Sequence, residues 1–384
     1  MKYSSVICFA GGDWWYHNPH SYNHLMKEFA KEKRVLYVNS LPIGSFVKEK
    51  SSRRILNKIN SIIRFFKKIE KNFYVFTPLF IPMKESKFLL KINAVLLKIQ
   101  IKFLIKILGM NDPLLWIVNP NGYIFLGKSG KMKLVYQIVD KVSAYKYAGA
   151  MVKDFDLELC KNANMIFTPG KILYDKKKKD YPHKVFRIKH GVDIDYFTKK
   201  VERLPYDFPD NSKKTFTYWG SIDYKKIDYD LLKYLAENAV NFNILLIGRV
   251  FDFRKKDFEE YKNIYFLGEK KYKELSDYAF FSDGFLIPWN KNDEMNRNAS
   301  PIKLREYLST GKPVITTYIP EFEEFKDLIM ISKDNKEFLE NMKISLSDET
   351  EEKSIMRKES VKSNSWRSIY ENVCKTISDF SDIY

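Results

Sequence analysis

The chain has 384 residues, enough for two domains that each bury a core, and its 45% hydrophobic and 16% aromatic content excludes a solvated, disordered coil. Lys and Arg number 66 against 48 Asp and Glu, a formal charge of +18 that favours an anionic partner such as a nucleotide, a lipid headgroup or a nucleic acid. Cys8, Cys160 and Cys374 lie far apart and in no CxxC pair, which argues against a disulfide framework or a structural zinc site and for a reducing cytosol.

The opening run MKYSSVICFAGGDWW is too short in apolar residues for a signal peptide and reaches an acidic residue at Asp13. No stretch approaches the roughly 18 uninterrupted apolar residues of a spanning helix. Short apolar runs over 4–10, 34–39, 73–77, 114–118, 134–139, 165–168 and 185–188 predict strands in the first half. Runs over 215–219, 243–247, 264–267, 284–287, 313–317 and 328–331 predict strands in the second. Helix-length segments such as 21–31, 229–238 and 301–310 lie between them. Near-continuous apolar strands alternating with helices imply parallel sheets covered on both faces, hence an α/β chain of two Rossmann-like domains. The boundary is expected at HGVDIDYF, giving domains over 1–190 and 191–363. The terminal segment over 364–384 has apolar residues at helical spacing, and its return to the first domain is an expectation that spacing alone does not supply. Ligands of open parallel sheets bind at the carboxyl ends of the strands, so two facing sheets place a site in the cleft between them.

Two segments of the first half are basic and amphipathic. In 87–109, Lys87, Lys91, Lys98, Lys102 and Lys106 share one narrow arc of a helix whose remaining circumference is almost wholly Ile, Leu, Val and Phe. Residues 52–71 are similarly basic and apolar. One reading is ordinary sheet-covering helices with lysines in water. The other is a shallow seat on an anionic leaflet, where each Lys or Arg contributes about 1 kcal/mol. Nucleic acid is disfavoured, because zinc-finger spacing, RNP-type aromatics and helix-turn-helix signatures are all missing. The run KKKK at 176–179 reads as a solvated loop.

The stretch NASPIKLREYLSTGKPV, 298–314, poses an electrostatic question. Ser300 reads as an N-cap, Pro301 as the first helical residue and Gly311 as the stop, which puts Lys303 in the positive first turn, where a cation costs about 0.3–1 kcal/mol. Gly311-Lys312 is not a P-loop, since Pro313 follows and Glu306 stands where the first glycine belongs. GxGxxG is missing as well, which disfavours NAD. A diphosphate on the exposed N–H groups at 300–303 would make Lys303 a counter-ion, and Glu306 on the same face would accept from a ribose. The alternative is a Lys303–Glu306 surface pair worth a few tenths of a kcal/mol.

SPIKLREYLSTGKPVITT resembles the donor-binding motif P-x-K-x-x-E-Y-L-x-x-G-K-P-V of GT-B glycosyltransferases. HGVDIDYF resembles their interdomain segment, YWGSIDYKKIDYDLL the opening strand and loop of their second domain, and the terminal Ser-Trp segment their cross-over helix. DWWYHNPHSYNHLMKEFAKEKRVLYVN resembles the first strand-helix-strand unit of bacterial polysaccharide transferases of the xanthan and teichuronic-acid glucuronosyltransferase type. The resemblance implies a GT-B fold, a sugar-nucleotide donor on the second domain, an acceptor on the first, and no metal or separate cofactor. By the same match Lys303 neutralises the diphosphate, Glu306 contacts the ribose, and Ser300 offers its hydroxyl or backbone. Gly220 and Ser221 approach the phosphates, and Gly268, Glu269 and Lys270 lie beside the base. Asn298 stands where many retaining members carry a Glu.

For an inverting reaction a base is needed. Asp140 ends the strand LVYQIVD, and the resemblance places a catalytic Asp after such a Tyr-x-x-x-Asp strand. An Asp in that place is also a common turn or helix cap. His17 and His20 are the other candidates, as base or as acceptor-orienting groups. His190 reads as structural. The DxD triplets at Asp154, Asp193 and Asp228 are expected by chance and carry no metal assignment. The expected activity is transfer of a sugar from a UDP-linked donor, with UDP-glucuronate one such donor, to a lipid-linked or polysaccharide acceptor. The expected place is the cytoplasmic inner face of the plasma membrane. Alternatives are a retaining hexosyltransferase using a GDP- or UDP-hexose, and a non-catalytic sugar-nucleotide or membrane-binding protein.

Overall fold

The computed structural model describes residues 3–17, 19–41, 52–81, 83, 86–126, 132–141, 149–209 and 212–383. The chain divides into two compact units, Met1–Lys189 with Ile369–Tyr384, and His190–Ser368.

The first unit is built on eight strands: β1 (Ser5–Phe9), β2 (Arg34–Val38), β3 (Phe66–Glu70), β4 (Phe73–Phe76), β5 (Pro113–Ile117), β6 (Leu134–Gln137), β7 (Met165–Thr168) and β8 (Val185–Arg187). They lie in the order β3-β4-β2-β1-β5-β6-β7-β8. All neighbours are parallel except β3 with β4. Every residue of β1 is buried because both faces are covered. Ile7 and Phe9 pack with Leu97, Ile101 and Leu104 of the helix Lys87–Ile107. Val6 and Cys8 pack with Met26 and Phe29 of the helix Ser21–Glu32 and with Val373 of the terminal helix Trp366–Ile383. Strand order reverses direction at β1 and β5, which marks the carboxyl ends of those strands as the site-forming edge.

The second unit has β9 (Lys214–Trp219), β10 (Phe242–Ile247), β11 (Ile264–Gly268), β12 (Gly284–Ile287), β13 (Val314–Thr317) and β14 (Met330–Ser332). Their order is β11-β10-β9-β12-β13-β14, parallel throughout, which is the doubly wound 3-2-1-4-5-6 arrangement with its switch point between β9 and β12. At the ends of β9 and β10 the backbone itself closes up. Gly220 and Gly248 hold φ of +146° and +154°, and a methyl group on Gly248 would overlap the Gly220 carbonyl oxygen. Gly220 N–H donates to Ile247 O at 2.9 Å and Gly248 N–H to Gly268 O at 2.8 Å, tying three strand ends together.

Each predicted strand has a counterpart, and three segments differ from expectation. Residues 52–71 are not one amphipathic unit. A helix runs over Ser52–Ile63, the chain turns at Phe65 with φ +22°, and β3 adds antiparallel to the sheet edge. FKKIE satisfies either periodicity, and pairing with the apolar β4 decides it. The exposed Lys67 and Lys68 then blunt the new edge. The side chains of residues 52–55 lie outside the described residues. The lysine run at 176–179 is helical, within Lys171–Asp180. Lys177 Nζ reaches Cys160 Sγ at 3.2 Å and Asp156 at 3.7 Å, and Lys178 Nζ donates to Val185 O at 3.2 Å. Strand β6 ends at Gln137, so Asp140 lies three residues past the strand instead of terminating it.

The Gly220–Gly248 approach predicts that Gly248→Ala destabilises the second unit by about 2–4 kcal/mol, since the substituted residue meets both backbone overlap and an unfavourable φ. Urea unfolding measures this, and an unshifted midpoint would contradict the close approach.

Candidate functional site

The motif 298–314 folds as a short helix behind the switch point, with a start that differs from the expected one. Pro301 is the N-cap, in extended conformation with ψ 127°, and the helix runs over Ile302–Ser309 without a side-chain cap. Proline restricts the residue before it, so Ser300 stays outside the helix. Its Oγ is buried without a hydrogen-bond partner among the described residues. Lys303 is thus the second helical residue. Gly311 closes the helix with φ +80°, as expected of a stop. Lys312 turns away from this site. Its Nζ donates to the carbonyls of Ala279 at 2.8 Å and of Ser282, capping the negative end of the helix Leu275–Phe281, and burial draws its pKa down to about 8.

The helix is locked to the end of β9 by aromatic contacts. Tyr307 stacks on Phe285 at 4.3 Å, meets Trp219 edge-on at 4.4 Å, and its hydroxyl accepts the Trp219 N–H at 3.0 Å. This fixes where Lys303 and Glu306 point. Lys303 is 9% exposed, and its ammonium lies against the Cα of Gly220, in space that any side chain at 220 would take. It donates to Tyr218 Oη at 3.3 Å and lies 4.5 Å from the Tyr218 ring centre and 5.2 Å from that of Trp289. Among the described residues no ion pair joins it to a carboxylate. Burial, with the neighbouring Lys226 ammonium, lowers its pKa to about 7 against the opposing pull of Glu306.

Lys226 was not singled out in the sequence, where a Lys-Lys pair six residues after Gly220 looks like solvated charge. Its Nζ sits 3.8 Å over Trp289 and donates to Asn296 Oδ1 at 2.9 Å. Asn296 is fully buried, and its amide nitrogen donates to Lys225 O and Asn290 O, so it pins the 223–226 loop beside Lys303. Two ammonium groups and the free N–H groups of a helix start therefore converge where β9 and β12 end. That concentration of positive charge suits a di-anionic phosphate group.

Glu306 lies one turn further in, fully buried, and accepts from Trp219 Nε1 at 2.8 Å and from Tyr272. Burial pushes its pKa up to about 7, opposed by Trp219 and Lys303. A buried carboxyl with two aromatic donors has the polarity to hold a vicinal diol. Ser221 is exposed beside Gly220, with its carbonyl accepting from Tyr218 at 3.0 Å. Gly268, φ +72°, and the exposed Glu269 leave the end of β11, and Lys270 is clamped by Asp207 at 2.5 Å. Asn298 donates to Glu294 O at 2.7 Å, at the end of the helix Glu294–Arg297. Asp228 and Asp193 cap helices by accepting from Leu231 N and Tyr196 N, and Asp154 is exposed.

In the first unit the loop after β1 gathers the other candidates. His20 is the N-cap of helix 21–32, and its N–H donates to Asn23 Oδ1 at 2.8 Å. Its ring stacks on Tyr22 at 5.4 Å. Desolvation and the adjacent His17 hold the His20 pKa below its ordinary value, while Asp140 pulls it upward. Asp140 also acts on Tyr22, whose hydroxyl packs over Gly11 and Gly12. The fold thus brings Asp140, more than a hundred residues further along the chain, within electrostatic reach of His20, beside His17, at the carboxyl edge of the sheet.

The same unit carries an uncovered apolar surface. Helix 87–107 buries a narrow face of Asn93, Leu97, Ile101 and Leu104, while Phe88, Val95, Ile99, Phe103 and Ile107 are each more than half exposed on the opposite side. At 100° per residue the lysine stripe lies along one flank of the exposed apolar face and overlaps its edge, where Lys106 falls at the angle of Phe88. Leu56, Ile59 and Ile63 are likewise exposed on one side of helix 52–63. Leu79 and Ile81 extend the exposed surface on a strap whose backbone is bound by Gln100 and Asn93. No helix among the described residues is long and apolar enough to cross a membrane.

Two Rossmann-like sheets with these connections define the GT-B fold, and similar solved structures agree. Sucrose-phosphate synthase from Thermosynechococcus elongatus has a TM-score of 0.72 at 11% identity over 100% of both chains. Anabaena HepE, solved in complex with UDP and glucose, has a TM-score of 0.63 at 13% identity, covering 98% of this chain and 100% of that one. No family model matches the sequence. A Bacillus subtilis (strain 168) protein whose name places it in teichuronic acid biosynthesis, the glycosyltransferase TuaH, is 25% identical over 182 residues. The aligned residues span 44% of this chain and 44% of that protein. The fold that the motifs imply and the fold of these solved structures therefore agree.

The Lys303–Glu306 pair sets a pH dependence. Glu306 holds its proton more tightly folded, so its contribution to stability is present below about 4.5 and is lost as pH rises through about 7. Lys303 behaves in the opposite sense, with a contribution that grows as pH rises from about 7 towards 10.5. The difference in urea stability between wild type and a Lys303→Met, Glu306→Gln double variant is expected to pass through a minimum near pH 7. A difference that stays flat from about pH 5 to about pH 9 would refute the assignment.

Proposed function

We propose that the protein is a glycosyltransferase that moves a sugar from a UDP-linked donor to a lipid-linked or growing polysaccharide acceptor of the cell surface, with UDP-glucuronate as one fitting donor. The observation that carries this is the buried Lys303 ammonium against Gly220 at the switch point, backed by Lys226 and by the helix start. A diphosphate there restores the charge that burial suppresses, and Glu306 receives the ribose hydroxyls. Gly268, Glu269 and Lys270 border the base, and Ser221, Asn298 and Ser300 border the phosphate and sugar.

The reaction we infer is inverting. Asp140 takes the proton of the acceptor hydroxyl, whose oxygen bonds to the anomeric carbon as the bond from that carbon to the β-phosphate oxygen breaks. The pair of electrons leaves with UDP, whose charge Lys303, Lys226 and the helix N–H groups receive. Two protein ammonium groups supply the positive charge, so no metal or separate cofactor is assigned to the step. His17 and His20 orient the acceptor.

For the exposed apolar faces of helices 52–63 and 87–107 we propose a seat on the inner leaflet of the plasma membrane, with lysines 87, 91, 98, 102 and 106 at headgroup level. Nucleic acid is not assigned as a partner.

UDP release, measured with a panel of UDP-sugars and lipid-linked acceptors, tests the activity. Asp140→Asn is expected to lower turnover at least about 100-fold with donor affinity nearly intact, and near-normal turnover would remove Asp140 from the base role. Lys303→Met is expected to weaken UDP binding by about 2 kcal/mol or more, read by calorimetry, and unchanged affinity would displace the donor site from this helix. In flotation assays, vesicles with phosphatidylglycerol should carry the protein and neutral vesicles should not, and Ile99→Asp with Phe103→Asp should abolish the association. Binding indifferent to lipid charge and salt would contradict the proposed seat.

A further inference from the structure

Arg64 lies where the uncovered apolar surface meets the loop that carries His17. It follows helix Ser52–Ile63, its N–H continuing the last turn by donating to Asn60 O at 3.2 Å. Ile63 before it is 75% exposed and Phe65 after it 37%. The turn is anchored. Phe65 O accepts from Thr77 N at 2.7 Å, and the Phe65 ring packs edge-on against Phe76 at 5.3 Å. The guanidinium lies 4.7 Å from the Trp15 ring centre and 5.5 Å from that of Tyr16. Among the described residues it forms no ion pair and no side-chain hydrogen bond. Its five donors are held by two aromatic faces and remain available to an oxyanion.

The neighbouring cation is differently employed. Lys58 on the same helix donates to Ser40 O at 2.9 Å and stands 4.0 Å from the buried Asp13, whose other carboxylate oxygen accepts from Trp15 N at 3.0 Å. Lys58 and Asp13 brace the loop from within, and Arg64 is the charge presented at its rim. From Arg64 the contacts run to Trp15 and Tyr16, His17 adjoins them in the chain, and His17 and Asp140 both act electrostatically on His20. One end of this path is apolar and exposed, the middle is cationic, and the far end carries the proton-transfer candidates.

We propose that Arg64 binds the phosphate of an acceptor whose apolar tail lies in the membrane: a polyprenyl-type phosphate or diphosphate carrying the sugar that receives the transferred unit. This rests on the transferase reading and names its acceptor class. The tail lies along Ile63 and Phe65, the phosphate accepts from the guanidinium, and Trp15 and Tyr16 offer flat faces to the first sugar. The separation of roles follows from the physical order of such a molecule at an interface, with hydrocarbon, then phosphate at headgroup depth, then sugar in water.

Farnesyl diphosphate and farnesol, titrated in detergent with tryptophan fluorescence as the readout, test the assignment. Wild type is expected to bind the diphosphate at least about tenfold more tightly than the alcohol, the gain of one charge-assisted contact. Arg64→Ala should erase that difference, and Arg64→Lys should retain part of it. Equal affinity for the two probes in wild type, or an unchanged preference in Arg64→Ala, would overturn the proposal. So would displacement of farnesyl diphosphate by phosphatidylglycerol vesicles at equal phosphate concentration, which would mark a general headgroup contact. UDP affinity measured on the same samples reports on the donor site separately. Its retention in Arg64→Ala shows that the variant is folded, and its absence in wild type would count against the transferase reading while the farnesyl comparison still decides the acceptor assignment.

Discussion

A buried ammonium in the first turn of a helix is the constraint around which the second unit is arranged. Helix N–H groups, Lys226 and loss of water all act against the charge on Lys303. The fold offsets this with the faces of Tyr218 and Trp289, the Tyr218 hydroxyl and the carboxyl of Glu306 one turn away. Holding the group there requires an absent side chain at Gly220, an absent one at Gly248 beneath it, and the Trp219–Tyr307 lock that sets the helix against β9. An arrangement so unfavourable to a cation in isolation is what an anion-binding site requires, because the ligand then gains from every term that opposed the charge.

The first unit answers a different demand. Its catalytic candidates sit on loops after β1 and β6, on the carboxyl edge of the sheet where strand order reverses, while helices on its flank keep apolar residues in solvent. Helix 87–107 spends only a narrow face on the core. Asn93 and Gln100 use their amides to bind the strap at 79–81, which keeps Leu79 and Ile81 on the same uncovered surface. Charge and hydrophobicity, read together, suit a headgroup boundary better than bulk water. Arg64 joins that boundary to the loop of His17.

Much of the fold was legible because buried parallel strands leave an unambiguous mark: runs such as SVICF and FNILLI are apolar on both faces and end at turn residues. The helix over 302–309 was legible for the same local reason, with Gly311 at its end and Lys303 and Glu306 one turn apart. Its start was not, since Ser300 and Pro301 both have N-terminal preferences and only the path of the chain from Asn298 chooses between them. FKKIE illustrates the limit for strands, because its pairing partner β4, and not its own pattern, makes it an edge.

The sequence by itself determined the alternation of strands and helices, the charge that calls for an anionic partner, and the identities of Lys303 and Glu306 as candidates, because these depend on residue type and local spacing. Only the tertiary structure decided that Lys226 stands beside Lys303, that Lys312 caps another helix, that Asp140 acts on His20, and that one side of an apolar helix stays uncovered. Those outcomes depend on Coulomb terms and burial between residues many positions apart, and sequence spacing carries no information about distances across a sheet.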